Sequence, residues 1–118
     1  MRILYIALAG VAGTLARYGL DGWVQGRGGT LTVNLTGSLA LGFIIRYATG
    51  SIVVSPDVRA ALTIGFCGAY TTMSTFSYET MALLWDGEYW RAGLYMGVTI
   101  AGCLMAVALG AALANKLL

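Results

Sequence analysis

One uncharged stretch of the chain places glycines beside a dense cluster of hydroxyl side chains. The run 60–78 contains Gly65 and Gly68, and five of the seven positions from 71 to 77 carry hydroxyls: Thr71, Thr72, Ser74, Thr75 and Ser77. Glycines beside clustered Ser and Thr favour a departure from the helix. Inside a membrane such a break holds ions, because carbonyl oxygens face cations and amide ends face anions. The alternative is a continuous helix whose hydroxyls bond back to the preceding turn, and the number of hydroxyls favours the ion site.

Two further stretches each carry three residues at four-residue spacing, five of the six with polar side chains, which puts each set on one helix face. They are Asn34, Ser38 and Gly42 in one helix, and Tyr95, Thr99 and Cys103 in another. Because polar groups in a membrane helix avoid lipid, both stripes are expected to point into the protein.

Small residues form seams for close helix contact in the first and last apolar runs. They are Ala9, Gly13 and Ala16 in the first run, and Gly93, Gly97 and Ala101 in the last.

Several classes of chemistry are excluded by what the chain lacks. There is no histidine, so histidine-based metal sites and histidine acid–base catalysis are ruled out. Cys67 and Cys103 lie in apolar runs without metal-type spacing and are interpreted as packing residues. No nucleophile stands with a base inside the runs, so an enzyme is not expected. The net charge of +2 comes without a basic cluster, which argues against a nucleic acid partner.

The composition indicates a lipid bilayer as the solvent of these runs. Of 118 residues, 58% are hydrophobic and 10% charged, more apolar surface than so short a soluble domain buries. Uncharged runs cover 3–16, 28–45, 60–78 and 92–115, and a membrane span needs roughly 20 mostly apolar residues. We predict an all-α membrane protein, a single transmembrane domain over 1–118 with helices at about 3–23, 30–49, 57–84 and 89–116, the third of them broken.

The cationic residues divide almost evenly between the two membrane faces. An even number of spans puts one group on each face: Arg2, Arg46, Arg59 and Lys116 against Arg17, Arg27 and Arg91. Without a positive-inside bias the chain has little reason to insert one way only. Insertion in both orientations, and hence an antiparallel dual-topology homodimer, is therefore favoured over a single topology.

The motifs resemble those of the Fluc (CrcB) family of fluoride channels along the whole chain. GFCGAYTTMSTFSYE at 65–79 is similar to the family signature GFCGGLTTFSTFSxE, and GTLARY at 13–18 and GTLTVNLTGSLALGF at 29–43 look like its first- and second-helix motifs. The resemblance implies two inverted protomers with two fluoride pathways. It also implies a structural sodium ion at the dimer centre, where the broken third helices cross.

The resemblance assigns roles by motif position. Gly68 and Thr71 would supply backbone carbonyls to sodium, a hard cation suited to oxygen ligands. Asn34 would donate its amide to the anion, although a helix–helix hydrogen bond is the alternative. Phe76 would present its positive ring edge, and Met73 stands where the family has another phenylalanine.

The remaining roles concern hydroxyls and charges. The resemblance implies hydroxyls beside the ring position at Ser74 and Thr75. It also implies a polar track along the last helix, at Tyr95, Thr99 and Cys103. Glu79 and Arg17 match family positions near the entrance. For Glu79, gating, proton exchange and an interfacial ion pair all stay open.

The implied function is passive fluoride export across the cell inner (plasma) membrane, driven by the membrane potential. A proton-coupled four-helix small-molecule exporter is the alternative, but it needs an acidic residue inside its first span, and 3–20 contains none. A subunit of a larger membrane complex would explain the small-residue seams but not the hydroxyl break.

Overall fold

The computed structural model describes residues Met1–Leu118 and is entirely helical, which confirms the predicted all-α class. The helices are α1 (Arg2–Trp23), α2 (Arg27–Gly50), α3 (Pro56–Ala60), a π-helical segment (Ala61–Cys67), α4 (Gly68–Tyr70), α5 (Met73–Trp85) and α6 (Tyr89–Asn115). We refer to residues 56–85 as the third segment and to Ala61–Cys67 as the π segment.

Three helices are long and apolar enough to cross a membrane. They are α1, α2 and α6, and α6 is the most apolar of the three. The second begins at Arg27, three residues before the predicted start at 30, directly after Gly26 with its positive φ of 71°. A glycine adopts this left-handed conformation without steric cost, so the chain turns there and the helix starts at once.

The third segment starts and restarts at two capped positions. The Ser55 hydroxyl accepts a hydrogen bond from the Val58 amide at 3.2 Å, with Pro56 in the first turn of α3. Thr71 and Thr72 are then extended, with ψ of 159° and 117°. The Thr72 hydroxyl accepts from the Thr75 amide at 3.2 Å, an N-cap that begins α5. The helical path is thus interrupted for two residues and resumes immediately.

The helices α2 and α6 run parallel and pack through glycines. A Cβ added at Gly42 would lie 2.2 Å from the Val107 carbonyl oxygen, and one at Gly110 would lie 2.1 Å from that of Leu39. Only glycine permits backbones this close. Near the carboxyl ends of the same pair, Arg46 Nε donates to Asn115 Oδ1 at 2.6 Å.

The helix α1 packs on the π segment rather than on α6. A Cβ at Gly13 would lie 2.3 Å from the Phe66 carbonyl oxygen, so the seam predicted in α1 is used within the chain. The seam predicted in α6 is not, because a Cβ at Gly93 or Gly97 meets nothing within 4 Å.

A groove separates the first half of the third segment from α6. No Cα atom of α3, the π segment or α4 lies within 8 Å of a Cα atom of α6. The helix α2 contacts both sides and forms the floor between them.

The ends of the molecule differ in their aromatic residues. All three tryptophans lie where α1 and α5 end and α2 and α6 begin: Trp23, Trp85 and Trp90, exposed by 91%, 67% and 80%. The opposite end carries no tryptophan and has the Arg2–Asp57 ion pair at 2.7 Å.

Candidate functional site

A cavity of about 420 Å³ occupies the groove between the third segment, α2 and α6. Most of the predicted site residues line it: Asn34, Gly68, Thr71, Met73, Phe76, Thr99 and Cys103. None of its lining residues is charged. The cavity therefore offers neutral donors only, within a wall that is otherwise apolar.

Asn34 joins α2 to the interruption of the third segment. Its Nδ2 donates to the Thr72 carbonyl at 3.1 Å, and its Oδ1 accepts from the Thr72 amide at 2.8 Å. The side chain is nearly buried, at 7% exposure. These two bonds satisfy both backbone groups of a non-helical residue, which are costly to leave unpaired at membrane depth. An amide nitrogen has two N–H donors, so one remains for another acceptor.

The predicted hydroxyl cluster divides into two kinds of contact. Thr71 and Ser77 bond back to the carbonyls four residues earlier, at 3.0 and 2.8 Å. The Thr72 hydroxyl instead lies within hydrogen-bond distance of the hydroxyls of Ser74 and Thr75, at 3.3 and 3.2 Å. Hydrogen bonds to the preceding helical turn, the alternative considered from the sequence, thus account for Thr71 and Ser77. Thr72, Ser74 and Thr75 instead form the cap of α5.

Ser74 and Thr75 lie outside the cavity wall. Together with Ser77 they are exposed on the surface of α5. Met73 lines the cavity and yet is 71% exposed, so it stands at the rim. The first turns of α5 therefore expose three hydroxyls and a thioether.

Thr99 carries an unpartnered hydroxyl into the cavity. The residue is 6% exposed, and its Oγ1 is the one buried side-chain oxygen or nitrogen without a hydrogen-bond partner. A buried hydroxyl without a partner is destabilising by roughly 1–3 kcal/mol. The Thr99 hydroxyl is therefore free to form a hydrogen bond with a ligand or a solvent molecule in the cavity.

Tyr95 supports the cavity from behind. Its ring lies against Phe76 with centroids 5.2 Å apart and planes tilted by 53°. Its hydroxyl donates to Glu79 Oε1 at 2.8 Å. Phe76 lines the cavity, whereas Tyr95 and Glu79 do not. The last helix thus supplies Thr99 and Cys103 to the wall and Tyr95 to the packing beneath it.

Arg17 binds the end of α4 from the side of α1. Its Nε donates to the Ala69 carbonyl at 3.1 Å. The contact is not with Glu79, and Arg17 does not line the cavity. The guanidinium satisfies one of the carbonyls that the helix end leaves free.

Two carbonyls at the interruption have no such donor. None of the hydrogen bonds that leave the helices ends at the carbonyl oxygen of Gly68 or Thr71. The amide of Thr72, which would reach back to Gly68 in a continuous helix, is bonded to Asn34. These oxygens are suited to a hard cation such as sodium.

Sequence reasoning missed part of the cavity wall. Thr63 and Cys67 line it from the π segment, and Gly37 from α2. A Cβ at Gly37 would lie 2.3 Å from Thr71 Cγ2, so this glycine lets the interruption approach α2. The four-residue spacing of Thr63 and Cys67 was a signal, but Cys67 was interpreted as packing.

The chain has known relatives over nearly its full length. Residues 4–111 match the family described as CrcB-like protein, Camphor Resistance (CrcB). A protein of Geotalea uraniireducens, "Fluoride-specific ion channel FluC", is 45% identical over an alignment that covers 98% of each chain. Proteins of the same name from Geobacter metallireducens and Geobacter sulfurreducens are each 44% identical, covering 99% and 98% of each chain.

Proposed function

The chain belongs to the CrcB-like family, and from this premise we propose that it forms a channel through which fluoride leaves the cell passively across the inner (plasma) membrane. The observation that carries the proposal is the uncharged cavity lined by Asn34, Phe76 and Thr99. The choice of fluoride as the ion comes from the names of the chain's relatives.

Weak neutral donors explain how an anion enters and leaves. Thr99 offers an unpartnered hydroxyl, Asn34 a second N–H, and Phe76 the positive edge of its ring. A cationic side chain would hold fluoride more strongly and slow its release. Cys103, one turn beyond Thr99, adds a weak S–H donor to the same wall.

The third segment would be a fourth membrane span made of two pieces. The helix α5 has 13 residues, too few to cross a bilayer that needs roughly 20. The pieces before and after Thr72 would together cross, with the interruption at mid-depth. Asn34 and Arg17 support this arrangement, because they satisfy backbone groups there that lipid cannot.

A second, inverted copy would cover what one chain leaves open. The groove, the exposed hydroxyls of Ser74 and Thr75, and the unused seam at Gly93 and Gly97 are unsuited to lipid but suited to protein. The even division of cationic residues between the faces permits opposite insertion. We therefore propose an antiparallel homodimer with one fluoride pathway along each cavity.

Sodium would be held at the centre of this dimer by the carbonyls of Gly68 and Thr71 from both copies. Their freedom from intrachain hydrogen bonds fits this role. When bound, the ion would supply positive charge that neutralises the facing carbonyl dipoles and so joins the two interruptions.

Glu79 and Arg17 would then act on structure more than on the ion. Glu79 holds Tyr95 against Phe76, and Arg17 holds the end of α4. Met73 would fill the volume at the rim of the cavity, where its exposed face meets the inverted copy.

Fluoride release from vesicles containing purified protein tests the function. A potassium gradient with valinomycin sets the voltage, and a fluoride electrode records release. We expect release driven by voltage alone, slowed strongly by Asn34→Ala and Phe76→Ala. Thr49→Val serves as the control, because Thr49 is exposed and its hydroxyl bonds back to Ile45.

The same vesicles separate the channel from the alternative. Release that requires an imposed proton gradient would support the proton-coupled exporter. Unchanged rates in both Asn34→Ala and Phe76→Ala would refute the proposed pathway.

A further inference from the structure

Both cysteines of the chain lie in the wall of the same cavity. Cys67 ends the π segment and Cys103 lies on α6, and both are free thiols. Cys67 is buried at 2% exposure, whereas Cys103 is only half-buried. The two thiols therefore differ in how easily a molecule in the cavity reaches them.

The thiols do not pair with each other within one chain. A disulfide needs Cα atoms about 4.4–6.8 Å apart, and no Cα atom of the π segment lies within 8 Å of one on α6. Cys103 thus remains a reduced, separate thiol unless a second molecule reacts with it.

The surroundings of Cys103 have a free hydrogen-bonding group and enough space for a small polar molecule. The unpartnered hydroxyl of Thr99 lies one helical turn away on the same face of α6. The cavity of about 420 Å³ exceeds the ~30 Å³ that one water occupies in the liquid by an order of magnitude. A small thiol-directed molecule that enters this space meets the sulfur of Cys103.

We propose that Cys103 is a covalent modification site that closes the ion pathway, and that its ligands are small, neutral reagents that transfer a sulfenyl group. The inference rests on the proposed function, because closure is defined by the loss of fluoride release. A methylthio group on Cys103 removes the S–H donor and fills the space beside Thr99 with an apolar substituent. An anion that depends on weak donors there loses one donor and meets an apolar group in its place.

The reaction with methyl methanethiosulfonate is balanced without a further reactant. The Cys103 thiol loses its proton to water, and the thiolate attacks the sulfenyl sulfur of the reagent. A new disulfide bond forms between Cys103 and the methylthio group. The bond between the sulfenyl and sulfonyl sulfurs breaks, and methanesulfinate leaves with the electron pair. Dithiothreitol reverses the modification by thiol–disulfide exchange.

The experiment records fluoride release from vesicles before and after the reagent, and again after dithiothreitol. Each variant is compared with its own rate before treatment. We expect the parent and Cys67→Ser to lose most of their release and to recover it on reduction. Cys103→Ser is expected to keep its own untreated rate. Mass spectrometry of the peptide that contains Cys103 records the extent of modification independently of flux.

The outcomes separate this inference from the function on which it rests. Absence of voltage-driven release before treatment overturns the proposed function, and the inference with it. Normal initial release that survives full methylthiolation of Cys103 overturns the inference alone. Failure of the reagent to modify Cys103 also overturns it. Should Cys103→Ser conduct too slowly to measure, loss of release in Cys67→Ser together with the modified peptide still identifies the residue.

Discussion

Asn34 and Thr72, 38 residues apart in the chain, exchange two hydrogen bonds of 2.8 and 3.1 Å at the point where the third segment stops being helical. One side chain on α2 thereby satisfies both the amide and the carbonyl of the same residue. The interruption is thus held by α2, together with Arg17 of α1 at the Ala69 carbonyl and the Thr72 hydroxyl that caps α5.

The first prediction concerns Asn34→Asp. A carboxylate still accepts from the Thr72 amide but no longer donates to its carbonyl, and its charge repels an anion. We expect fluoride release to be abolished and the protein to be destabilised by about 1–3 kcal/mol, the cost of an unsatisfied buried polar group. Release assays and thermal unfolding in detergent measure the two effects. Parent-like release in Asn34→Asp would contradict the proposed role.

The second prediction separates stability from transport at Thr99. Thr99→Val removes a buried hydroxyl that has no intrachain partner, so the unfolding temperature is expected to stay the same or rise. Fluoride release is expected to fall. Thr99→Ser, which keeps the hydroxyl, should retain more of the release than Thr99→Val. Equal release in the two variants would show that the Thr99 hydroxyl does not contribute to transport.

The third prediction uses the seam on α6 that finds no partner within the chain. Gly97→Leu adds a side chain where nothing lies within 4 Å, so a single chain accommodates it, whereas a close dimer contact does not. We expect a shift from dimer to monomer by size-exclusion chromatography with light scattering, with helical content unchanged. The matched change Gly42→Leu, which meets the Val107 carbonyl, should instead impair folding. A fully dimeric Gly97→Leu would exclude this seam from the interface.

The fourth prediction tests whether Glu79 acts by position or by charge. Glu79→Gln keeps an oxygen that accepts from the Tyr95 hydroxyl and removes the carboxylate. If Glu79 serves to hold Tyr95 against Phe76, release and its pH profile should resemble those of the parent. Tyr95→Phe, which removes the hydrogen bond to Glu79, is expected to loosen the contact with Phe76 and to slow release. Loss of the pH profile in Glu79→Gln alone would point to proton exchange or gating instead.

The fifth prediction concerns sodium. An ion that binds only the folded dimer raises its stability by RT ln(1 + [L]/Kd). Thermal unfolding of the detergent-solubilised dimer should therefore occur at higher temperature in sodium chloride than in N-methyl-D-glucamine chloride of equal ionic strength. The same unfolding temperature in both salts would argue against a sodium site at Gly68 and Thr71.

The sequence predicted the long helices well because their signal is local. Hydropathy and length identify α1, α2 and α6 without reference to any partner. The sequence predicts that the second helix begins at about 30, whereas α2 begins at Arg27, because a leading arginine and glycines are poor evidence of a helix until Gly26 is seen to turn the chain. The glycines and hydroxyls at 65–77 favour a departure from the helix, and Thr71 and Thr72 are extended in the structure. That the third segment is a broken membrane span stays a proposal.

Contacts between residues far apart in the chain are harder to predict from the sequence. The pairing of Asn34 with Thr72 depends on how α2 meets the third segment, which no spacing encodes. Cys67 lies in the cavity wall at the end of the π segment, and a short apolar residue gives no sign in the sequence of which element it faces. The seam at Gly93 and Gly97 has the right residues for packing, but its partner is not in the same chain.

The concentration of tryptophan at one end has a consequence for how the protein sits in a bilayer. Indole rings favour the headgroup region, so a lone copy would have tryptophan anchors in one leaflet and none in the other. In the proposed antiparallel pair each leaflet receives one full set. The depth of the assembly in the bilayer is then fixed in both leaflets, whichever copy inserted in which orientation.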